Sequence, residues 1–182
     1  LTDILTDTGA GWLALGETDL TRRSTDLLRR AQGIFTLVRM SGTTLCATQA
    51  PFFDEKAEYR VEHQDRSVTY YAEKREVQLG VRCMMHPTIS CEQRQIVVKN
   101  TSGRRQAAQL LIYLEPTLST HRDYSAHPAY SKLFVSAKYD EQAKTLTFLR
   151  RDKEGARKLY LTAGLLQQSA DFTFETRREA LM

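Results

Sequence analysis

The stretch from Thr120 to Tyr130 gathers His121, Arg122, Asp123, Tyr124 and His127 within a few residues. These side chains donate or accept hydrogen bonds or offer an aromatic face, which is the chemistry that holds sugar hydroxyls and stacks on a pyranose ring. Trp12 directly follows the glycine turn Thr8-Gly9-Ala10-Gly11. Glycine lets a backbone approach a neighbouring strand or a sugar closely. A large aromatic beside such a turn serves the core or stacks on a sugar, and both roles stay open. Glu115 and His127 bracket the long aperiodic stretch that begins at Pro116, and a Glu/His pair suits general acid/base work of the kind sugar epimerases perform.

Other chemistries find little support. His63, His86, His121 and His127 show neither a helical i, i+4 pairing nor the spacing of a zinc site, so no metal is expected. The glycine turn is too short for a dinucleotide fingerprint, and no Gly-x-Ser-x-Gly elbow occurs. Cys46, Cys83 and Cys91 lack CxxC spacing and fit reduced thiols in a cytoplasm better than a disulfide framework. No secretory leader is expected from the N-terminal residues, so Asn100-Thr101-Ser102 reads as turn chemistry rather than a glycosylation acceptor.

Short alternating strands must position these residues. In Arg75–Met85 the residues Val77, Leu79, Val81, Cys83 and Met85 share one face, because strand side chains alternate with period two. Ala57–His63 and Ser67–Ala72 flank Gln64-Asp65-Arg66 and predict a hairpin. Glu92–Lys99 and Gln106–Glu115 flank Asn100-Thr101-Ser102-Gly103, a turn in which glycine can take positive φ. Lys132–Tyr139, Thr145–Arg150, Lys158–Ala163 and Ala170–Thr176 predict further strands. The one helix expected is Thr18–Arg30, and Pro116–Pro128 reads as a long loop of the functional kind. Many short strands with short links predict an all-β antiparallel sandwich spanning 1–182 as one domain.

The 182 residues are 41% apolar and 26% charged, an ordinary globular balance. The net charge of +4 comes in scattered basic pairs such as Arg104-Arg105, not in the tract that nucleic-acid binding requires. No apolar run approaches the roughly 18 residues of a membrane span.

One string is specific. Ser125-Ala126-His127-Pro128-Ala129-Tyr130-Ser131-Lys132-Leu133-Phe134-Val135 resembles the HPAFSKLFV string in the N-terminal sandwich of the cellobiose phosphorylase family, glycoside hydrolase family 94, formerly glycosyltransferase family 36. Weaker similarities follow in the same order at Thr8–Gly11, Thr21-Arg22, Gly33–Arg39, Ala47–Pro51, Val97–Asn100, Tyr113–Glu115 and Phe174–Arg178. The chain departs from the family at Trp12-Leu13, Leu45 and Arg177, where the family has Tyr-Ser, Trp and Asp.

The resemblance implies a galactose mutarotase-like supersandwich that continues into further strands beyond Met182. It also implies an (α/α)₆ barrel elsewhere in the parent polypeptide that carries the general acid, so no catalytic residue is expected here. The parent reaction would be inverting phosphorolysis of a β-glucoside with inorganic phosphate as co-substrate and no cofactor. Expected partners are β-glucan oligosaccharides, the helical barrel and a second copy of the chain, since strands left unpaired at a sheet edge recruit others. Trp12, His121, Arg122, Asp123, Tyr124 and His127 would contact sugar. A free-standing carbohydrate-binding module, a plain structural sandwich and an epimerase using Glu115 and His127 are the alternatives.

Overall fold

The computed structural model describes residues 1–24, 26, 31–151, 158–166 and 173–177. The chain forms two compact units, Leu1–Glu115 and Pro116–Met182. Apart from two short helices, the regular elements among the described residues are strands, paired antiparallel within each unit, as the alternating pattern predicts.

In the first unit, β1 (Thr2–Leu5), β2 (Gly11–Leu15) and β3 (Thr18–Thr21) pair in that order. A second sheet begins with β4 (Phe35–Met40) and β5 (Thr43–Cys46). A four-stranded meander follows: β6 (Glu58–Gln64), β7 (Ser67–Lys74), β8 (Val77–Met85) and β9 (Glu92–Asn100). Then β10 (Ala108–Tyr113) returns to the free side of β4, giving the order β10-β4-β5.

The sandwich core lies between the second sheet and the meander. Val38, Met40, Leu45 and Ala47 pack against Tyr70, Ala72, Val77, Leu79, Val81 and Cys83. The alternation read in Arg75–Met85 is therefore the inner face of β8, with Met85 only half-buried at its end. The expected hairpin closes with Gln64 opposite Ser67. The turn after β9 does use glycine at positive φ, Gly103 at 71°. It links two different sheets, however, because β9 pairs with β8 and β10 with β4.

The expected helix at Thr18–Arg30 is not formed where it is described: Thr18–Thr21 is β3, and residues 22–24 and 26 are not helical. Asp19, Leu20 and Thr21 are all buried, and the Thr21 hydroxyl oxygen accepts a hydrogen bond from the Leu13 amide at 2.9 Å. Sheet contacts thus outweigh the cap-like Thr-Asp start. Residues 25 and 27–30 lie outside the described part.

The glycine turn is structural. Gly9 has φ 84°, and a Cβ on Gly11 would come within 1.8 Å of the Ile4 carbonyl oxygen on the paired strand β1. Gly11→Ala is expected to destabilise at or above the top of the roughly 1–3 kcal/mol typical of overpacking, because backbone must move. An urea midpoint equal to the parent's would show that β1 yields freely.

In the second unit, β11 (Pro116–Thr120) leads into α1 (His121–Ala126) and α2 (Pro128–Lys132). A three-stranded sheet follows, β12 (Val135–Asp140), β13 (Thr145–Arg150) and β14 (Tyr160–Gly164). The stretch read as a long loop is therefore a strand and two short helices. In the expected strand Ala170–Thr176, residues 173–176 are not extended into a strand, and 170–172 lie outside the described part.

Candidate functional site

Two local signals build the helices around His127. Thr120 caps α1: its hydroxyl oxygen accepts from the Asp123 amide at 3.2 Å and donates to the Asp123 carboxylate at 2.7 Å. The first bond is an N-cap by threonine, and the second ties the Asp123 carboxylate to the capping hydroxyl. His127 ends α1 in a non-helical conformation, and Pro128 opens α2 at a position that needs no amide donor. The His127 carbonyl accepts the Ser131 amide at 2.9 Å.

The helices divide their side chains. Tyr124 and Ser131 are buried, whereas Arg122, Asp123, His127 and Tyr130 face solvent. His121 is half-buried, with Nε2 3.4 Å from the Ser125 hydroxyl. The His127 side chain makes no capping hydrogen bond. One turn of polar surface thus presents Arg122, Asp123 and His127, while Tyr124 points inward as packing.

The inner side is organised by Arg150 at the end of β13. Its Nη1 donates to the Ser131 hydroxyl at 3.0 Å, the Ser131 carbonyl at 3.2 Å and the Thr117 carbonyl at 3.3 Å. The guanidinium also lies 5.6 Å from the Phe134 ring centroid. Phe134 meets the Tyr130 ring edge-on at 4.9 Å. Arginine suits this position because its fixed fork reaches several acceptors and its flat face stacks on aromatics.

Trp12 belongs to the first unit, on β2, where it is half-buried. The Arg23 guanidinium covers one ring face at 4.6 Å from the centroid, a cation–π contact. Glu115 is likewise committed: Arg22 donates to Oε2 at 3.0 Å and the Tyr113 hydroxyl to Oε1 at 2.6 Å. Both oxygens of the Glu115 carboxylate thus have partners within the first unit. The other histidines have local partners too. His63 meets Asp7 at 2.9 Å, and His86 Nδ1 accepts the Thr88 and Ile89 amides. Cys46, Cys83 and Cys91 are free thiols, and burial pushes that of Cys83 up to about 12.

The sequence reading passed over a cleft in the first unit. Phe52 and Phe53 are 72% and 64% exposed, more than any other aromatic among the described residues. With Leu37 and Tyr59 they wall an open cleft of about 480 Å³ whose polar lining includes Thr44, Asp54, Glu55, Lys56 and Lys74. Phe53 and Tyr59 lie 6.0 Å apart, tilted by 30°. Lys74 donates to the Asp54 carboxylate, which also accepts the Lys56 amide at 3.0 Å. The lysine hydrogen bond holds the Asp54 carboxyl below the usual carboxylate range. The available signal was an adjacent aromatic pair in Pro51-Phe52-Phe53-Asp54, outside any alternating run.

A second polar cluster sits inside the same unit. Arg94 donates to Glu92 at 2.6 Å and to the Ile34 carbonyl at 2.5 Å, with both charged side chains largely withdrawn from water. Asp3 on β1 joins them. Burial first, then the Glu92 carboxylate, push its carboxyl up to about 7 against the pull of Arg94.

The family model described as glycosyl hydrolase 94, supersandwich domain, matches residues 2–182. The chain belongs to that family. Among curated proteins it is similar to the cyclic beta-(1,2)-glucan synthase NdvB of Rhizobium meliloti (strain 1021), with 24% identity over 140 residues. The match takes in 72% of this chain and 5% of that protein, so the chain spans a small part of the relative's length.

Within this glycosyl hydrolase 94 sandwich, the specific string from Ser125 to Val135 has two sides. Ser131 and Phe134 hold Arg150, and His127 with Tyr130 faces outward. Leu45, one of the positions where the sequence departs from the resemblance, is 1% exposed in the sandwich core. No helix among the described residues is long and apolar enough to cross a membrane.

Proposed function

We propose that this supersandwich is the carbohydrate-binding accessory part of a larger inverting β-glucoside phosphorylase or related glycosyltransferase of the cytoplasm. It packs on a catalytic helical barrel, contributes to a dimer and lends the α1–α2 surface to a sugar cleft. The observation that carries this reading is the family match over residues 2–182. The resemblance of the chain to a small part of a protein named as a glucan synthase also favours an accessory role. Inorganic phosphate enters as co-substrate of the parent enzyme, not as a ligand of this chain.

The exposed polar side chains of α1 and its C-cap support a binding role. Arg122, Asp123 and His127 are exposed on one short helical segment, and such groups hold sugar hydroxyls. Inverting phosphorolysis needs a carboxylic acid placed at the leaving oxygen, and this reading places it on the barrel.

The purified chain is expected to bind β-glucan oligosaccharides and to release no glucose 1-phosphate from them when phosphate is present. Turnover that survives rigorous purification would overturn the accessory assignment. In the parent enzyme, Arg122→Ala is expected to leave the melting temperature unchanged and to raise KM or lower kcat several-fold. Asp123→Ala is expected to change the kinetics in the same direction and also to lower the melting temperature slightly, because its carboxylate accepts the Thr120 hydroxyl at the start of α1. If both variants turn over like the parent, the α1–α2 surface is no part of the cleft.

A further inference from the structure

We propose that the cleft beside Phe52 and Phe53 is a second carbohydrate subsite, one that stacks the flat faces of gluco-configured pyranose rings. The inference rests on the reading of the chain as a sugar-binding accessory domain and gives it a place.

Exposure is the first observation. Leaving a phenylalanine in water forgoes roughly 1.5–3 kcal/mol of burial. Phe52 and Phe53 do so side by side, although a buried aliphatic face of the sandwich lies close in sequence. Paired exposed aromatics of this kind mark a binding surface.

The lining is the second. The cleft's volume of about 480 Å³ falls within the ~300–1,000 Å³ of small-ligand clefts. Its aromatic wall of Phe52, Phe53 and Tyr59 faces a rim of hydroxyl, carboxylate and ammonium groups. That division matches a pyranose with equatorial hydroxyls, whose two faces are apolar and whose perimeter is polar.

Charge is the third. Asp54 and Glu55 are balanced by Lys56 and Lys74, and Asp54 is already engaged by Lys74. A neutral rim suits an uncharged sugar. A phosphorylated ligand would need an excess of cations.

Titration calorimetry of the full chain tests the inference, with cellotetraose and a β-(1,2)-linked glucose tetramer as probes. Phe52→Ala and Phe53→Ala are each expected to weaken binding at least tenfold. Phe52→Trp should keep or raise affinity, because it preserves the stacking face. Both rings are exposed, so the variants should melt with the parent. If neither sugar binds the parent chain, the accessory reading fails and this subsite with it. Binding that is intact in both alanine variants but lost in Arg122→Ala would overturn the subsite alone. Unchanged sugar affinity with a fall in oligomer mass by light scattering would make the pair a protein contact and also overturn it.

Discussion

Between about pH 4 and pH 7 the first unit is expected to lose stability, and Asp3→Asn is expected to abolish most of that loss. Asp3 has an ordinary carboxyl value of 3.8 when exposed and one of about 7 in the fold. The folded chain therefore holds a proton that the unfolded chain releases near pH 4. This favours the fold fully below 3.8, and the advantage disappears as pH rises through about 7. Each pH unit in that window corresponds to about 1.4 kcal/mol, giving an upper bound of roughly 4 kcal/mol at pH 8.

Burial is the largest cause, and Glu92 adds to it by repelling the ionised form; Arg94 attracts that form but is already bound to Glu92 and Ile34. Asn keeps a hydrogen-bonding side chain without the charge. Urea unfolding followed by Trp12 fluorescence is the natural readout, since Trp12 lies opposite Ile4 in the β1–β2 pair. An Asp3→Asn profile as steep as the parent's would exclude Asp3 as the source.

The second large effect is expected at Arg150. Arg150→Ala removes three hydrogen bonds from one guanidinium nitrogen and leaves Ser131, 4% exposed, with buried oxygens that lose this donor. Hydrogen bonds to charged groups contribute about 1.5–3 kcal/mol, and a buried acceptor left unmet adds its own penalty. The expected cost is about 3 kcal/mol, or roughly 10 °C in Tm for a chain of this size. Arg150→Lys should recover only part of it, because an ammonium lacks both the fork and the flat face over Phe134. The neighbouring Arg151, which is exposed, serves as control. A shift below 1 °C in Arg150→Ala would show that the string around His127 needs no such tie.

The strands were readable because burial on one face writes a period of two into the sequence, as at Val77, Leu79, Val81 and Cys83. Pairing was less readable. Alternation says that β9 and β10 exist, but not that they lie in different sheets, because a turn such as Asn100–Gly103 serves either arrangement. The helices at His121–Lys132 were hidden by their shortness: six and five residues hold too few turns for a periodic signal. Only Thr120 with Asp123 and the proline at 128 announced them. Of the candidate residues, His121 to His127 do share one segment, since they are neighbours in sequence. Trp12 is found with Arg23 against its ring instead. The Phe52-Phe53 cleft escaped notice because its members come from separate stretches, and only the fold brings Leu37, Tyr59 and Lys74 beside the aromatic pair.

The return of β10 to β4 sets an order of events during synthesis. Tyr113 must find Phe35, so that edge stays open until the whole meander β6–β9 has been made. The meander joins neighbours through short turns and is the local, fast part of the unit. Closing the sheet β10-β4-β5 means closing a long loop first, which costs entropy before any pairing repays it. A nascent chain halted before residue 108 therefore carries an unpaired side of β4, and the emergence of β10 is the step that covers it.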